Sequence, residues 1–421
     1  MVGMMGESTP SMRNEFICIV LSSFVEPRPS ELSQYNCDYV LPGAALLRWR
    51  KTLTCHLWSS TLLSFYWKFW ETSLKFKVDE LSQFARSLLE ASGLDVEKSQ
   101  AVADTLVEGD MLGHTTHGLA LLAPYLAELA SGKMTRDGLP EVVTDFPAAI
   151  TWDGKRLPGP WLVLRAMDLA IARAKQQGTC TVVIKRSHHI ACLAAYHQRA
   201  IAKGMLMALH CSDPNTRSVA PFGGLDPVFT PNPVSFGIPS SKQPIMVDVS
   251  TSATTNGMTN RLFNEKKSLP AAWVMDGNGQ ASADPAVLFV EPKGTILPLG
   301  GIDSGHKGYG LSLMVEALTG GLAGHGRADP AEGWGATVFL QIIDPEAFAG
   351  LNAFERQVDH VVERCQNSKP VKQGEKVRLP GERGLQHQAD SKLHGLSLYP
   401  SIMPALVPWA EKLNVAVPQA V

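Results

Sequence analysis

Four histidines and one aspartate carry most of the chemistry this sequence could perform. His114 and His117 stand three residues apart in GHTTHG, residues 113–118. Three apart can suit a metal pair, but the helical HExxH pattern needs four and a glutamate between, which this segment lacks. A second reading is general acid/base work, for which an imidazole titrating near ~6.5 is suited. A third is a solvated or capping histidine. Gly118 removes a Cβ beside His117 and lets a ligand approach. His188 and His189, in RSHHIA, follow a β-branched run and precede a helical pattern. Strand ends of this kind commonly face ligand crevices in α/β sheets, so His189 is a second acid/base or cofactor-contact candidate beside a purely structural reading. Asp248 lies in the apolar run IMVDV. A buried carboxylate is costly unless paired, so Asp248 is either a structural partner or the group that orients a catalytic imidazole.

Cations and glycines add binding chemistry. Arg217 sits in SDPNTRSVAPFGG, a polar loop dense in Pro, Gly and Asn, and its donor fork could hold a carboxylate. SGHKGYG, residues 304–310, opens a helix with three glycines and Lys307. Free N–H groups at a helix start, with a point charge beside them, favour phosphate, although a solvated lysine at a helix start reads the same way. No GxGxxG follows a strand and no GxxxxGK[ST] occurs, so a bound nucleotide would need a scaffold other than a Rossmann or P-loop unit.

The elements that must position these groups begin near residue 75. Leu81, Phe84, Ala85, Leu88 and Leu89 share a helical face, with Asp79 placed to cap its start and Gly93 its end. Asp95 opens a second helix, and a third spans about 119–130, so GHTTHG falls between them in an N-terminal helical lobe. From residue 160 the pattern turns α/β. A helix ending before Gly178 is followed by the strand TCTVVIKR, and the SHHI segment opens a helix through Ala194 and Ala200. Strands follow at 205–211, 244–250 and 336–344, with short strands in the 212–239 loop. Helices are expected at 307–324, 348–365 and 404–413. The domain reading is an atypical extension at 1–73, a helical lobe at 74–150, an α/β core at 151–345 and a C-terminal helical segment at 346–421.

Composition excludes some partners. The net charge is -2 over 421 residues, which gives no field for nucleic acid or an anionic membrane. Seven cysteines form no CxxC pair and read as buried thiols in a reducing, cytoplasmic setting. Residues 1–73 hold four of the nine tryptophans and show no clean period, so they read as a poorly ordered extension. Their apolar stretch LWSSTLLSFYWKFW is shorter than the roughly 20 residues of a membrane helix.

Taken in order, GDMLGHTTHG, RSHHIACLAAY, SDP with APFGG, TPNPVSFGIP, IMVDVSTSATTNG, LPLGG, GHKGYGLSLMVEALTG and RLPGERG resemble the malate/L-lactate dehydrogenase family. That family also includes ureidoglycolate and sulfolactate dehydrogenases, diketogulonate reductases and piperideine-carboxylate reductases. The resemblance implies a non-Rossmann α/β fold with a mainly antiparallel mixed sheet, and a homodimer. It implies NAD or NADP as cofactor, and hydride transfer to or from a small 2-hydroxy acid, 2-keto acid or cyclic imine. Carried onto this chain, it makes His117 the acid/base, His189 a second proton acceptor and Asp248 the aspartate of its cofactor-contact strand, a group placed to fix the imidazole's tautomer or hold its charge. It places Ser212, the strand Pro244, Ile245, Met246, Val247, Val249 and Ser250, the pair His306 and Lys307, and Gly381, Glu382 and Arg383 on the cofactor. Thr116 stands where the family has serine and, with Arg217, is expected at the substrate. An arginine often found five residues before the catalytic histidine is Leu112 here, so a substrate carboxylate needs another holder. Two other classes stand beside this reading: a metal-dependent hydrolase built on the histidine pairs, and a non-catalytic binding protein.

Overall fold

In the computed structural model, residues 74–421 are described, all within the second of the chain's two compact units, 68–421. The expectation for residues 1–73 lies outside the described residues. Helices α1 (Val78–Ala91), α2 (Val96–Met111) and α3 (Leu122–Ala130) follow the sequence pattern, with Leu81, Phe84, Leu88 and Leu89 buried on α1. Asp95 caps α2 by accepting the Lys98 N–H, as its position predicts. Asp79 does not cap α1: the helix starts at Val78, and Asp79 lies in its first turn, where a carboxylate favours the positive helix end. A 3-10 turn, Leu119–Leu121, leads into α3.

The 74–150 lobe is not wholly helical. Strands β2 (Glu141–Phe146) and β3 (Ala149–Asp153) form a hairpin that sequence reasoning missed, and it belongs to the main sheet. Every β2 residue is exposed, so the inside–outside alternation that marks a half-buried strand is absent there. With β4 (Thr179–Ser187), β5 (Leu206–Ser212), β6 (Val234–Ile238), β7 (Ile245–Val249) and β11 (Ala336–Ile343), they form one sheet in the order β2-β3-β4-β11-β5-β6-β7. Only β3 and β4 pair parallel, joined through α4 (Gly159–Gln177); the remaining pairs are antiparallel. This is the mainly antiparallel mixed sheet that the resemblance implies. Trp161, Leu162, Ala166 and Ala170 of α4 pack with Val182, Ile184, Val338 and Leu340 of the central strands in one apolar core.

Three small strands, β8 (Val274–Met275), β9 (Ala281–Ser282) and β10 (Thr295–Ile296), form a satellite sheet over its own cluster with Val219 and Phe229. The helix expected to open at the SHHI segment and run through Ala200 is instead irregular up to Cys192, then a 3-10 turn, Leu193–Tyr196, running into the short α5 (His197–Ile201). Helix α6 (Asn256–Asn264) is capped by the Thr255 side chain. The 307–324 pattern is α7 (His306–Glu316) continued by a π turn, Ala317–Gly321. Helices α8 (Leu351–Gln366), α9 (Glu382–His394) and α10 (Ile402–Leu413) close the chain. Ile402, Leu406 and Ala410 of α10 are buried with Leu81, Leu88 and Leu126, so the C-terminus completes the N-terminal helical core. β1 (Lys75–Phe76) pairs with β12 (Leu396–Ser397) at the same place. No helix among the described residues is long and apolar enough to cross a membrane.

Candidate active site

The loop after α2 is tied down at both ends. Asp110 accepts the Leu119 N–H at 2.7 Å, and the His117 N–H donates to the His114 carbonyl at 2.7 Å, closing a tight turn. From α6, Arg261 donates to the Thr115 hydroxyl and to the Thr115 carbonyl, each at 2.8 Å. Its guanidinium also stacks 3.7 Å over the Tyr399 ring. The turn leaves His117 half-buried, with Nδ1 held 2.9 Å from the Thr116 hydroxyl, so Nε2 is the nitrogen left for chemistry. Burial pushes the His117 pKa below the ordinary imidazole range, against the nearby Asp248 charge.

The RSHHIA segment is held in sparsely populated backbone. Arg186 and Ala191 have φ of 51° and 59°, the left-handed region that non-glycine residues rarely adopt. It lies against the first turn of α4, where a Cβ on Gly159 would come 2.4 Å from the carbonyl oxygens of His188 and His189. Only glycine permits that approach. His189 Nδ1 accepts the Ala191 N–H at 3.2 Å and lies 2.8 Å from the Tyr125 hydroxyl. The hydrogen bonds therefore assign its proton to Nε2. Burial, first of all, holds its pKa well below the usual range. Trp334 covers His189 at 4.7 Å between ring centroids, and the His117 ring lies 5.8 Å from that of His189. His188 is fully buried, its Nε2 3.3 Å from Glu128, and burial lowers its pKa to about 3. It is a neutral structural histidine.

Asp248 lies on β7, the sheet's edge strand. It accepts the Ala194 N–H at 2.9 Å and contacts the Cys192 thiol at 3.8 Å. This corrects one expectation: Asp248 is hydrogen-bonded to the 192–194 turn, and no bond from it to His117 or His189 is observed. Ligand-capable atoms of His114, Cys192 and Asp248 lie within 4.8 Å of one another. The metal reading paired His114 with His117; the cluster observed among the described residues joins His114 to Cys192 and Asp248.

Two cavities meet at His114 and Asp248, which line both. The first, about 450 Å³, is walled by Thr116, His117, His189, Cys192, Asp213, Asn232, Ser250, Trp334 and the start of α6. The second, about 400 Å³, lies along Met246, Val247, Asp248 and Val249 and beneath the 378–384 turn with Arg378, Gly381 and Arg383. Gly381 has φ +85° and sits where a Cβ would come 2.7 Å from that of Met246, so the turn is moulded onto the strand. The Met246 N–H donates to the Pro380 carbonyl at 3.1 Å. An edge strand, two guanidinium groups and an apolar floor suit a flat ring carrying phosphates.

The structure therefore brings Thr116, His117, His189, Asp248 and Ser250 to one cavity, and Met246, Val247, Val249, Gly381 and Arg383 to its neighbour. Other candidates sit elsewhere. Ser212 is buried and committed: its hydroxyl donates to Glu316 at 2.8 Å and meets Arg327 at 3.1 Å, within an Arg327–Glu316 ion pair. Arg217 is exposed and lines neither cavity. His306 and Lys307 are exposed at the start of α7, also outside both walls, with the His306 ring 5.7 Å from Phe222. Glu382 accepts from Lys376 and from the Leu379 N–H, shaping the turn from within; Lys376 holds its carboxyl below the usual range. Pro244 and Ile245 precede the lining part of β7. Tyr125, Trp334, Arg261 and Arg378 were missed. Tyr125 falls inside the helix expected at about 119–130, where nothing marks it for chemistry, and nothing near Trp334 in sequence ties it to a histidine 145 positions earlier.

The family model for malate/L-lactate dehydrogenase matches residues 76–407. The chain belongs to that family. Among curated members, the L-lactate dehydrogenase of Cupriavidus necator is 30% identical over 82% of this chain and all of its own length. The L-sulfolactate dehydrogenase of Methanothermobacter thermautotrophicus is 28% identical over 81% of this chain and 98% of its own. Among solved structures, the malate dehydrogenase of Pyrococcus horikoshii superposes with a TM-score of 0.74 at 27% identity, over 82% of this chain and 97% of its own. The delta1-piperideine-2-carboxylate reductase of a Pseudomonas syringae pathovar does so at 0.71 and 26%, over 80% and 99%. Like those members of the malate/L-lactate dehydrogenase family, this protein is an oxidoreductase, and the hydrolase and pure binding readings fall away.

Proposed function

We propose that the protein interconverts a small 2-hydroxy acid and its 2-keto acid with NAD or NADP, and that His117 exchanges the hydroxyl proton. The carrying observation is the juxtaposition of two neutral imidazoles in one cavity, which runs through His114 and Asp248 into a cleft lined by Arg378 and Arg383. When bound in that cleft, the nicotinamide accepts or supplies the hydride. Met246 to Val249 and the 378–384 turn would hold it.

The two histidines divide the work. His117, with Nε2 unengaged and its pKa lowered by burial so that it stays neutral, takes the hydroxyl proton during oxidation and returns it during reduction. His189 carries a proton on Nε2 and resists becoming charged, so it serves as a neutral donor toward the developing oxyanion. Tyr125 and the Ala191 N–H keep that tautomer. The substrate carboxylate faces Thr116 and the first turn of α6, whose early N–H groups precede the helical ladder.

Association of two copies, as in the family, is supported by Val142, Val143 and Phe146, exposed at 54%, 47% and 65% on edge strand β2. The free thiols of Cys180, Cys192, Cys211 and Cys365 support a cytoplasmic location. A panel of 2-keto acids with NADH and with NADPH, followed at 340 nm, tests the reading. Turnover of at least one pair is expected; no turnover of any would remove the proposal.

A further inference from the structure

We propose that the acid turned over here carries a single carboxylate and an apolar side chain, and that a second anionic group is selected against. This rests on the reading of the first cavity as a 2-hydroxy acid site. The argument begins with what the cavity presents. Leu121, Leu193, Met258 and Trp334 supply an apolar wall, and Trp334 is anchored by its stack on His189. Asp213 and Asp248 add two carboxylates to the same wall. Among the described residues, none that lines this cavity is a lysine or an arginine.

Nearby cations do not redress that balance, because each is engaged elsewhere. Arg261 grips Thr115 and lies over Tyr399. Arg327 is paired with Glu316 at 2.8 Å and also donates to the Thr216 carbonyl. Arg156 donates to the main-chain carbonyls of Lys133 and Trp334. Leu112 is buried against Cys192, Ala194 and Met246 and brings no charge. One carboxylate finds neutral donors at Thr116 and the α6 turn. A second, on the β-carbon of the substrate, would meet either the apolar wall or the two aspartates. Like charges brought together in a desolvated site cost several kcal/mol. An apolar side chain would instead bury against Leu121, Leu193 and Trp334.

The test is the ranking of kcat/KM for pyruvate, phenylpyruvate and the keto acid of leucine against oxaloacetate, with the wild-type protein and whichever reduced nicotinamide it uses. The best monocarboxylate is expected to exceed oxaloacetate by about 100-fold. Oxaloacetate turned over as well as the monocarboxylates would overturn this inference while leaving the 2-keto acid reading intact; it would mean that a cation reaches the cavity from outside the described residues. No turnover of any acid would sink both. A gain-of-function variant gives an independent readout. Met258 lines the cavity yet is 38% exposed, so M258R places a cation on the wall without burying it. The ratio of oxaloacetate to pyruvate kcat/KM should rise at least about tenfold, the equivalent of 1.4 kcal/mol. An unchanged ratio in a folded variant would count against the proposal.

Discussion

The rings of His117 and His189 lie 5.8 Å apart and 29° from parallel, although 72 residues separate them in the chain. One is left free at Nε2 by Thr116, and the other is locked as an Nε2–H donor by Ala191 and Tyr125. Two like imidazoles thus acquire different protonation tasks from their hydrogen bonds alone.

His117→Ala removes the proposed proton-exchanging group. Turnover should fall by about 10² to 10⁴-fold, the usual worth of general acid/base assistance. The cofactor KM should change little, because the cleft proposed for it is a separate cavity that shares only His114 and Asp248 with the first. Steady-state and stopped-flow kinetics read both, and unchanged turnover would remove His117 from the mechanism.

The pH profile of oxidation depends on Asp248. A base must be neutral to act, and burial lowers the His117 pKa, so kcat/KM should hold to pH values below the ordinary imidazole range before falling. The Asp248 carboxylate favours the imidazolium and so raises that pKa. Asp248→Asn keeps an acceptor for the Ala194 N–H but removes the charge. The acid limb should therefore move to lower pH. A limb that stays put would show that Asp248 acts only on the 192–194 turn.

Gly381→Ala tests the cofactor cleft. The added Cβ would meet Met246 at 2.7 Å from a left-handed backbone, forcing the 378–384 turn off the edge strand. The KM for the reduced nicotinamide should rise about tenfold or more, with a smaller change in the keto acid KM, as measured by varying each reactant in turn. Equal effects on both would place the cofactor elsewhere.

Asp110 should make stability fall as pH rises. Its carboxyl is 1% exposed, and burial raises its pKa from 3.8 to about 7, against the Leu119 N–H and the Arg261 charge. Between those values the folded state binds more protons than the unfolded one, so the contribution is largest below pH 4 and is lost as pH approaches 7. Asp110→Asn retains the bond to Leu119 without an ionisable group. Urea midpoints measured across that window should depend less on pH in the variant, by an amount on the order of 1–3 kcal/mol at the upper end. Parallel curves for the two proteins would show that Asp110 titrates normally.

Much of the frame was readable in the chain itself. Helical periodicity gave α1, α2 and the helix around Leu126, because amphipathic burial leaves a local record; β-branched runs gave β4, β7 and β11, and the apolar run at 205–211 gave β5. The histidines stood out because few other side chains titrate near neutrality, and Asp248 because a charge is conspicuous in an apolar strand. β2 left no such record, since neither of its faces is buried. The tertiary structure decided what periodicity cannot encode, namely which distant groups share a surface. Folding spent Ser212 on Glu316, left Arg217, His306 and Lys307 outside the cleft, and turned Asp248 toward Ala194 rather than toward the rings of His117 and His189. It also brought Tyr125 and Trp334 onto His189. Residue type is local and survives in the one-dimensional string; the proton's place on a ring depends on neighbours 1 to 64 positions away, which only packing assembles.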